Sequence, residues 1–557
     1  MFEVPPPKRI DEANAIVIDQ QRLIRDTLKS VLVQAGVRDV TVCSNAFEAL
    51  SACRSKEFDL IFVSFNLNLD KDGFHFLEEL KFKSYAKNTT GIVFLSADTD
   101  KGLVNSVVEM QPDDFWLKPF DIKGISRRLN FMLEVKQTLH KPLFFADELD
   151  YSRAIYYADR LLALTELKEF HPRLLRLKGQ CLMTIKEYGD AEKHYREVLK
   201  KYRYNWVNIG LAKSLLKQEK FTEAQELIDK LKLRADTRCG IHDLLGQHYL
   251  QKGQYEKAYV EIIEAAKLAP RNLERNKRTW ELARLNHDPM GQREATINMA
   301  KYAKNSIHDS PELTLNVIRS NIDLANYVEE SEAGIYLNEA QKYLNELTTN
   351  PKLYRKLKSQ IDVINARLHS AKGEKGKADA ILRQLHKNVS GDVENNLEYN
   401  FDLIKAHHEA GNREACIKLL NDSKELVNGN MFSGDILNKY IEQELDERSH
   451  IHFTPKELTE MAAAYHTQQK YSQAMRMLDQ AFRLSPRNEK LAMNIMKVAA
   501  SATEKGRLDN DQKRTVSKAI MMLNKVNLVA EEAKLYAFFR EQIGEINELD
   551  LLSTELA

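Results

Sequence analysis

The chain has 557 residues, 43% hydrophobic and 29% charged, and its 82 Lys+Arg balance 81 Asp+Glu to a formal net charge of +1. That length calls for more than one domain, and the balance leaves no global basic field to recruit nucleic acid. Five cysteines lie singly with no CxxC pair, so neither a zinc site nor a disulfide framework is expected, and their expected role is that of small buried apolar residues.

The N-terminus, MFEVPPPKRIDEANA, has no apolar leader core, and no 18-residue uncharged run occurs. A cytoplasmic protein without a membrane span is expected. Five short apolar runs follow in chain order: Ala15–Ile18, Val40–Cys43, Leu60–Val63, Ile92–Leu95 and Phe115–Leu117. Near-continuous apolar runs of this length read as buried parallel strands. Between and after them lie helix-patterned segments such as Arg22–Gln34, Phe74–Leu80 and Ile122–Val135. The pattern predicts a five-fold βα repeat over residues 1–140, an open parallel sheet covered by helices on both faces.

Such a sheet gathers its working groups at the carboxyl ends of its strands. Those ends carry Asp19 and Gln20, Ser64, Ser96, and Lys118–Pro119. With the segments VIDQQR, DLIFVSFNLNLDKDGF, VFLSA and DDFWLKPFD around them, these positions resemble the CheY-like, flavodoxin-like receiver domain of bacterial two-component response regulators. The resemblance covers about 135 residues and four motifs in order. It implies that the residue at Ser64 would be an aspartate accepting phosphate from a histidine kinase. It also implies that acidic residues at positions 19 and 20, with the backbone carbonyl of Asn66, would hold Mg²⁺. Ser96 would contact the phosphoryl group, Lys118 would pair with it, and Phe115 would be the aromatic switch. Asp19, Ser96, Lys118 and Pro119 match this pattern, whereas Gln20 and Ser64 depart from it.

Three carboxylates and one lysine carry about −2 and call for a hard cation, while Asp19 with Lys118 sums to about zero and needs none. A serine hydroxyl without an adjacent base is also a poor nucleophile. A degenerate phosphorylation site without metal or cofactor is expected, with Asp70 or Asp72 as the alternative acceptor if the third strand is misplaced.

Beyond Leu139 a period of about 34 residues takes over. In one copy Leu458, Ala462, Tyr465, Tyr471, Ala474, Leu478, Ala481 and Pro486 fall at tetratricopeptide-repeat positions, and in another Leu245, Gly246, Tyr249, Tyr255, Ala258, Ile262, Ala265 and Pro270 do. Ala191, Ala224 and Ala258 are spaced by 33 and 34 residues. The expected domain over 141–557 is therefore an all-α superhelical solenoid of tetratricopeptide repeats, irregular around 305–350 and ending in an acidic tail from Glu531.

Stacked helix pairs offer a long face built from the first helix of each pair. Arg173, Arg176, Gln180, Lys213 and Lys217, followed by Asp243 and Gln247, are placed there, as a groove for an acidic or extended peptide. Phe115 and Trp116 are further partner-facing candidates on the receiver. GEKGKA at 373–378 lacks the phosphate-loop spacing, and His407–His408–Glu409 lacks HExxH spacing. No catalytic motif is found, and no enzyme is expected.

The expected function is a non-catalytic adaptor in a phosphorelay. Its pseudo-receiver would dock a sensor kinase or another response regulator, and its array would bind a second protein. Two alternatives are a phosphorylation-switched regulator with an atypical acceptor, and a repeat-type assembly factor or chaperone.

Overall fold

A computed structural model describes residues 4–67, 71–97, 101–328, 330–385, 396–427, 434–504, 506 and 508–544. Its packing divides into two compact units, one of residues 1–276 with 298–310 and one of 277–297 with 311–557.

The first unit opens with a βα domain. Its strands are β1 (Asn14–Ile18), β2 (Asp39–Cys43), β3 (Leu60–Ser64), β4 (Gly91–Ser96) and β5 (Asp114–Leu117). Its helices are α1 (Arg22–Gln34), α2 (Ala46–Ser55), α3 (Gly73–Phe82), α4 (Lys101–Glu109) and α5 (Ile122–Thr138). Among the described residues these strands form one parallel sheet in the order β2-β1-β3-β4-β5. Residues of β3 and β4 are buried throughout because both faces are covered. Alternate side chains go to opposite sides. Ile61, Val63 and Phe94 join Phe76, Leu80 and Val107 on one face, while Leu60, Phe62 and Trp116 join Leu32, Ile125 and Leu129 on the other.

Helices α6 (His140–Asp147), α7 (Tyr151–Leu162), α8 (His171–Thr184), α9 (Tyr188–Lys201), α10 (Asn205–Lys217), α11 (Phe221–Lys232), α12 (Arg238–Gln251) and α13 (Tyr255–Leu268) follow. The array is seated directly on α5, the last helix of the βα domain. Val135 and Leu139 share a core with Ala158, Phe170 and Leu174, and Phe131 stacks on Phe170 at 5.8 Å. Asp147 fixes the other flank by accepting from the backbone N–H groups of Asn88 and Thr89 at 2.6 and 3.1 Å. Within the hairpins, small residues admit the neighbouring helix. Ala191, Ala224 and Ala258 are fully buried, and the Tyr195 ring fills the space left by Gly179 and Gly210, where a Cβ would lie 2.7 and 2.4 Å from ring carbons.

Then come α14 (Leu273–Leu285) and α15 (Pro289–Ala303), each with residues in both units, and in the second unit α16 (Pro311–Ala325), α17 (Glu330–Thr348), α18 (Pro351–Ala371), α19 (Lys375–Leu385), α20 (Leu397–Glu409), α21 (Arg413–Val427) and α22 (Gly434–His450). The stretch that fits no regular copy is the long hairpin α16/α17, closed by Leu315, Ile318, Leu337 and Leu344. The chain continues through α23 (Pro455–Thr467), α24 (Tyr471–Leu484), α25 (Glu489–Thr503), α26 (Asn510–Leu523) and α27 (Ala530–Ile543). Thr454 and Glu457 start α23 with a reciprocal capping box. The expected acidic tail begins as α27, and its residues from 545 onward lie outside the described ones. Among the described residues no helix is long and apolar enough to cross a membrane.

Candidate functional site at the carboxyl edge of the sheet

Parallel pairing brings the ends of β1, β3, β4 and β5 to one edge. Asp19, just beyond β1, is fully buried, and its backbone N–H donates to the Cys43 carbonyl at 3.2 Å. One carboxylate oxygen accepts from the Gln21 N–H at 2.8 Å. The other accepts from Lys118 Nζ, an ion pair whose lysine side chain is 13% exposed. Lys118 Nζ also donates to Ser64 Oγ at 2.6 Å, and the Lys118 N–H donates to the Ser96 carbonyl at 2.9 Å. Ser64 and Ser96 are both buried, Gln20 is half-buried and Asn66 is exposed. Half-buried Phe115 stacks on Phe94 at 5.9 Å.

Arg25 is a site residue that strand-end reasoning missed. From the first turns of α1 its Nη1 donates to the carbonyls of Asp19 and Gln20 at 2.6 and 2.9 Å. It thereby holds the β1–α1 turn that presents both side chains. An arginine at the start of an amphipathic helix carries no sequence signal for that role.

Asp72, one of the two alternative acceptors, does not serve as the site's missing carboxylate. It caps α3 by accepting from the His75 N–H at 2.9 Å and pairs with Arg271 Nη1 at 3.0 Å. Asp70 lies outside the described residues.

The side chains at this edge do not fit the Mg²⁺ that a receiver would hold. Both oxygens of Asp19 are already engaged, one by a cation. Gln20 brings a neutral amide and Ser64 a hydroxyl bonded to the same lysine. An ammonium that contacts the carboxylate and the hydroxyl would repel a divalent ion at this spot.

Residues 15–130 match the response regulator receiver domain family. This part of the chain is therefore a response regulator receiver domain. The transcriptional regulatory protein YvrH of Bacillus subtilis (strain 168) is 23% identical over 198 residues, 32% of this chain and 81% of that protein. Among solved structures, the chemotaxis response regulator CheY4 of Vibrio cholerae is 22% identical, covering 22% of this chain and 98% of that one, with a TM-score of 0.20. NtrX from Brucella abortus is 24% identical, covering 22% of this chain and 28% of that one, with a TM-score of 0.21.

The expected partner-facing residues separate into two groups. Trp116 is corrected to a core residue. It is 1% exposed, packs on Phe62 at 5.5 Å, and its indole N–H donates to Asp114 at 2.7 Å. Neighbouring residues of a strand face opposite sides, and here helices cover both. Arg173 is corrected as well. Its guanidinium lies 5.7 Å from the Phe131 ring and 3.7 Å from Asp113, so it joins the array to the receiver. Burial lowers the pKa of Arg176, and neighbouring Arg173 lowers it further. Gln180, Lys213 and Lys217 are exposed, and Lys217 donates to Gln251 on α12 at 2.8 Å.

In the second unit the first helices of successive hairpins fill the space between them with charge. Arg319 on α16 donates to Asp402 on α20 and Gln360 on α18, both at 2.6 Å. Arg367 on α18 donates to the other Asp402 oxygen at 2.7 Å and pairs with Asp323, which also takes Lys405 at 2.6 Å. Burial opposes ionisation of Asp323, but Lys405 and Arg367 outweigh it and hold the carboxyl well below its usual range. Asp243, placed on the groove by sequence, is likewise taken up, by Arg275 Nε at 2.8 Å. At α20, burial pushes His408 down to about 3 and Glu409 up to about 7.

Proposed function

We propose that the protein is a non-catalytic adaptor of a two-component system, working in the cytoplasm. In this reading the receiver is a pseudo-receiver that takes no phosphoryl group and docks a sensor kinase or another response regulator. The helical array, of tetratricopeptide type by its anchor spacing, holds a second protein. The observation that carries the reading is the single ammonium of Lys118 bound to both Asp19 and Ser64. It neutralises the site without metal and occupies the hydroxyl that stands where an acceptor carboxylate would be. A buried serine whose hydroxyl accepts from an ammonium is not thereby activated for attack on phosphorus.

Exposed Leu23 and Ile122 support the docking role. They stand at the N-terminal ends of α1 and α5, which cover the same face of the sheet. On the array, Gln180, Lys213 and Lys217 suit an acidic peptide. Incubation of the full chain with acetyl phosphate and Mg²⁺, followed by intact mass, tests the reading. No phosphoryl adduct is expected. A stoichiometric adduct mapping to residues 59–72 would replace this reading with a phosphorylation-switched regulator.

A further inference from the structure

The two ends of the β3–α3 loop, Phe65 and Asp72–Phe74, are gripped by the array. Arg271, in the turn between α13 and α14, has its guanidinium 5.0 Å from the Phe65 ring, 5.5 Å from Phe74 and 5.2 Å from Tyr302. Its Nη1 lies 3.0 Å from Asp72 Oδ2, and its side chain is 18% exposed. A planar cation enclosed by three rings and a carboxylate is a directional contact, because stacking and the ion pair fix its plane together.

The residues that it holds are the two ends of the loop. Phe65 follows Ser64 directly, and Asp72 precedes Gly73, whose N–H donates to the Phe65 carbonyl at 2.8 Å. A Cβ on Gly73 would lie 2.0 Å from the Ser64 carbonyl oxygen, so the end of the loop rests on the end of the strand. Displacement at 72–73 therefore reaches Ser64 through backbone contact.

Around Arg271 the array is tied to the receiver by further polar contacts. Asn105 Nδ2 donates to the Leu268 carbonyl at 3.1 Å. Glu109 accepts from Asn272 at 3.2 Å and from Arg275 at 2.6 Å. His75 Nε2 lies 2.9 Å from the Tyr302 carbonyl.

We propose that Arg271 is a latch that makes the two ends of the loop beyond Ser64, Phe65 and Asp72–Phe74, and the α13–α14 turn one coupled element. A partner that moves either the receiver edge or that turn then displaces the other. The coupling needs no phosphoryl chemistry at Ser64, so it stands or falls apart from the adaptor reading.

Hydrogen exchange on the full chain tests it. Arg271→Ala should speed exchange about tenfold in peptides covering 60–67 and 73–80, while 471–523 stays unchanged, as local opening requires. Arg271→Lys keeps the charge but not the stacking plane and should fall between. Reciprocally, Phe65→Ala should speed exchange over 265–276. Should Arg271→Ala fold poorly, Arg271→Lys and Phe65→Ala decide. Unchanged exchange at the distant partner in each variant, or an even rise across the whole chain, would overturn the proposal.

Discussion

Lys118 Nζ donates to Ser64 Oγ at 2.6 Å while pairing with the fully buried Asp19. One cation thus satisfies the hydroxyl and the carboxylate together, and each partner depends on it.

Asp19→Ala should leave the Lys118 ammonium nearly buried and unpaired, a loss of about 3–5 kcal/mol. Removing both charges with Asp19→Asn and Lys118→Met should recover much of that. Urea unfolding of the two variants beside the parent measures the difference. Equal stability of Asp19→Ala and parent would mean that the pair is solvated.

Restoring carboxylates should restore metal binding. Gln20→Asp with Ser64→Asp gives a formal charge of about −2 around one lysine, which favours a hard cation. At ten times its Kd, Mg²⁺ should then stabilise the variant by about 1.4 kcal/mol, and the parent should not respond. A parent midpoint that rises with Mg²⁺ as much as the variant's would defeat the charge argument.

The array offers two glycines with opposite expected signs. At Gly210 a Cβ would meet the Tyr195 ring at 2.4 Å, and that ring is 4% exposed and also abuts Gly179. Overpacking of about 1–3 kcal/mol should exceed the helix-propensity gain of about 1 kcal/mol. Gly334, inside α17, has nothing within 4 Å of a built Cβ. Gly334→Ala should therefore stabilise while Gly210→Ala destabilises, and thermal midpoints of the two variants check the pair.

Burial pushes the Glu409 carboxyl up from 4.5 to about 7, against the pull of Arg367. The folded state then binds this proton more tightly than the unfolded chain. The associated stability is complete below pH 4.5, declines as pH rises to about 7, and is flat above. Glu409→Gln should remove this decline, about 3 kcal/mol at most. Denaturant unfolding at pH 5 and pH 8 measures it. Identical pH slopes in variant and parent would show that Glu409 is ionised throughout that range.

The local sequence determined the receiver's elements because a buried parallel strand must be apolar along its length and a covering helix must alternate with it. It therefore placed Asp19, Ser64, Ser96 and Lys118 at strand ends, where parallel pairing gathers them. The spacing of Ala191, Ala224 and Ala258 foretold the close approaches inside the helix hairpins, since small residues are what such approaches demand. Tertiary structure alone decided what covers each face. Periodicity says that a side chain points away from its own element, not what meets it there. By local pattern Trp116 is a partner-facing candidate, yet it lies in the core, and Arg173 lines a groove, yet it packs on Phe131. Arg319 meets Asp402 across 83 positions and Arg271 meets Asp72 across 199. Contacts at such separation arise from how the helices stack, and no local pattern of residues encodes them.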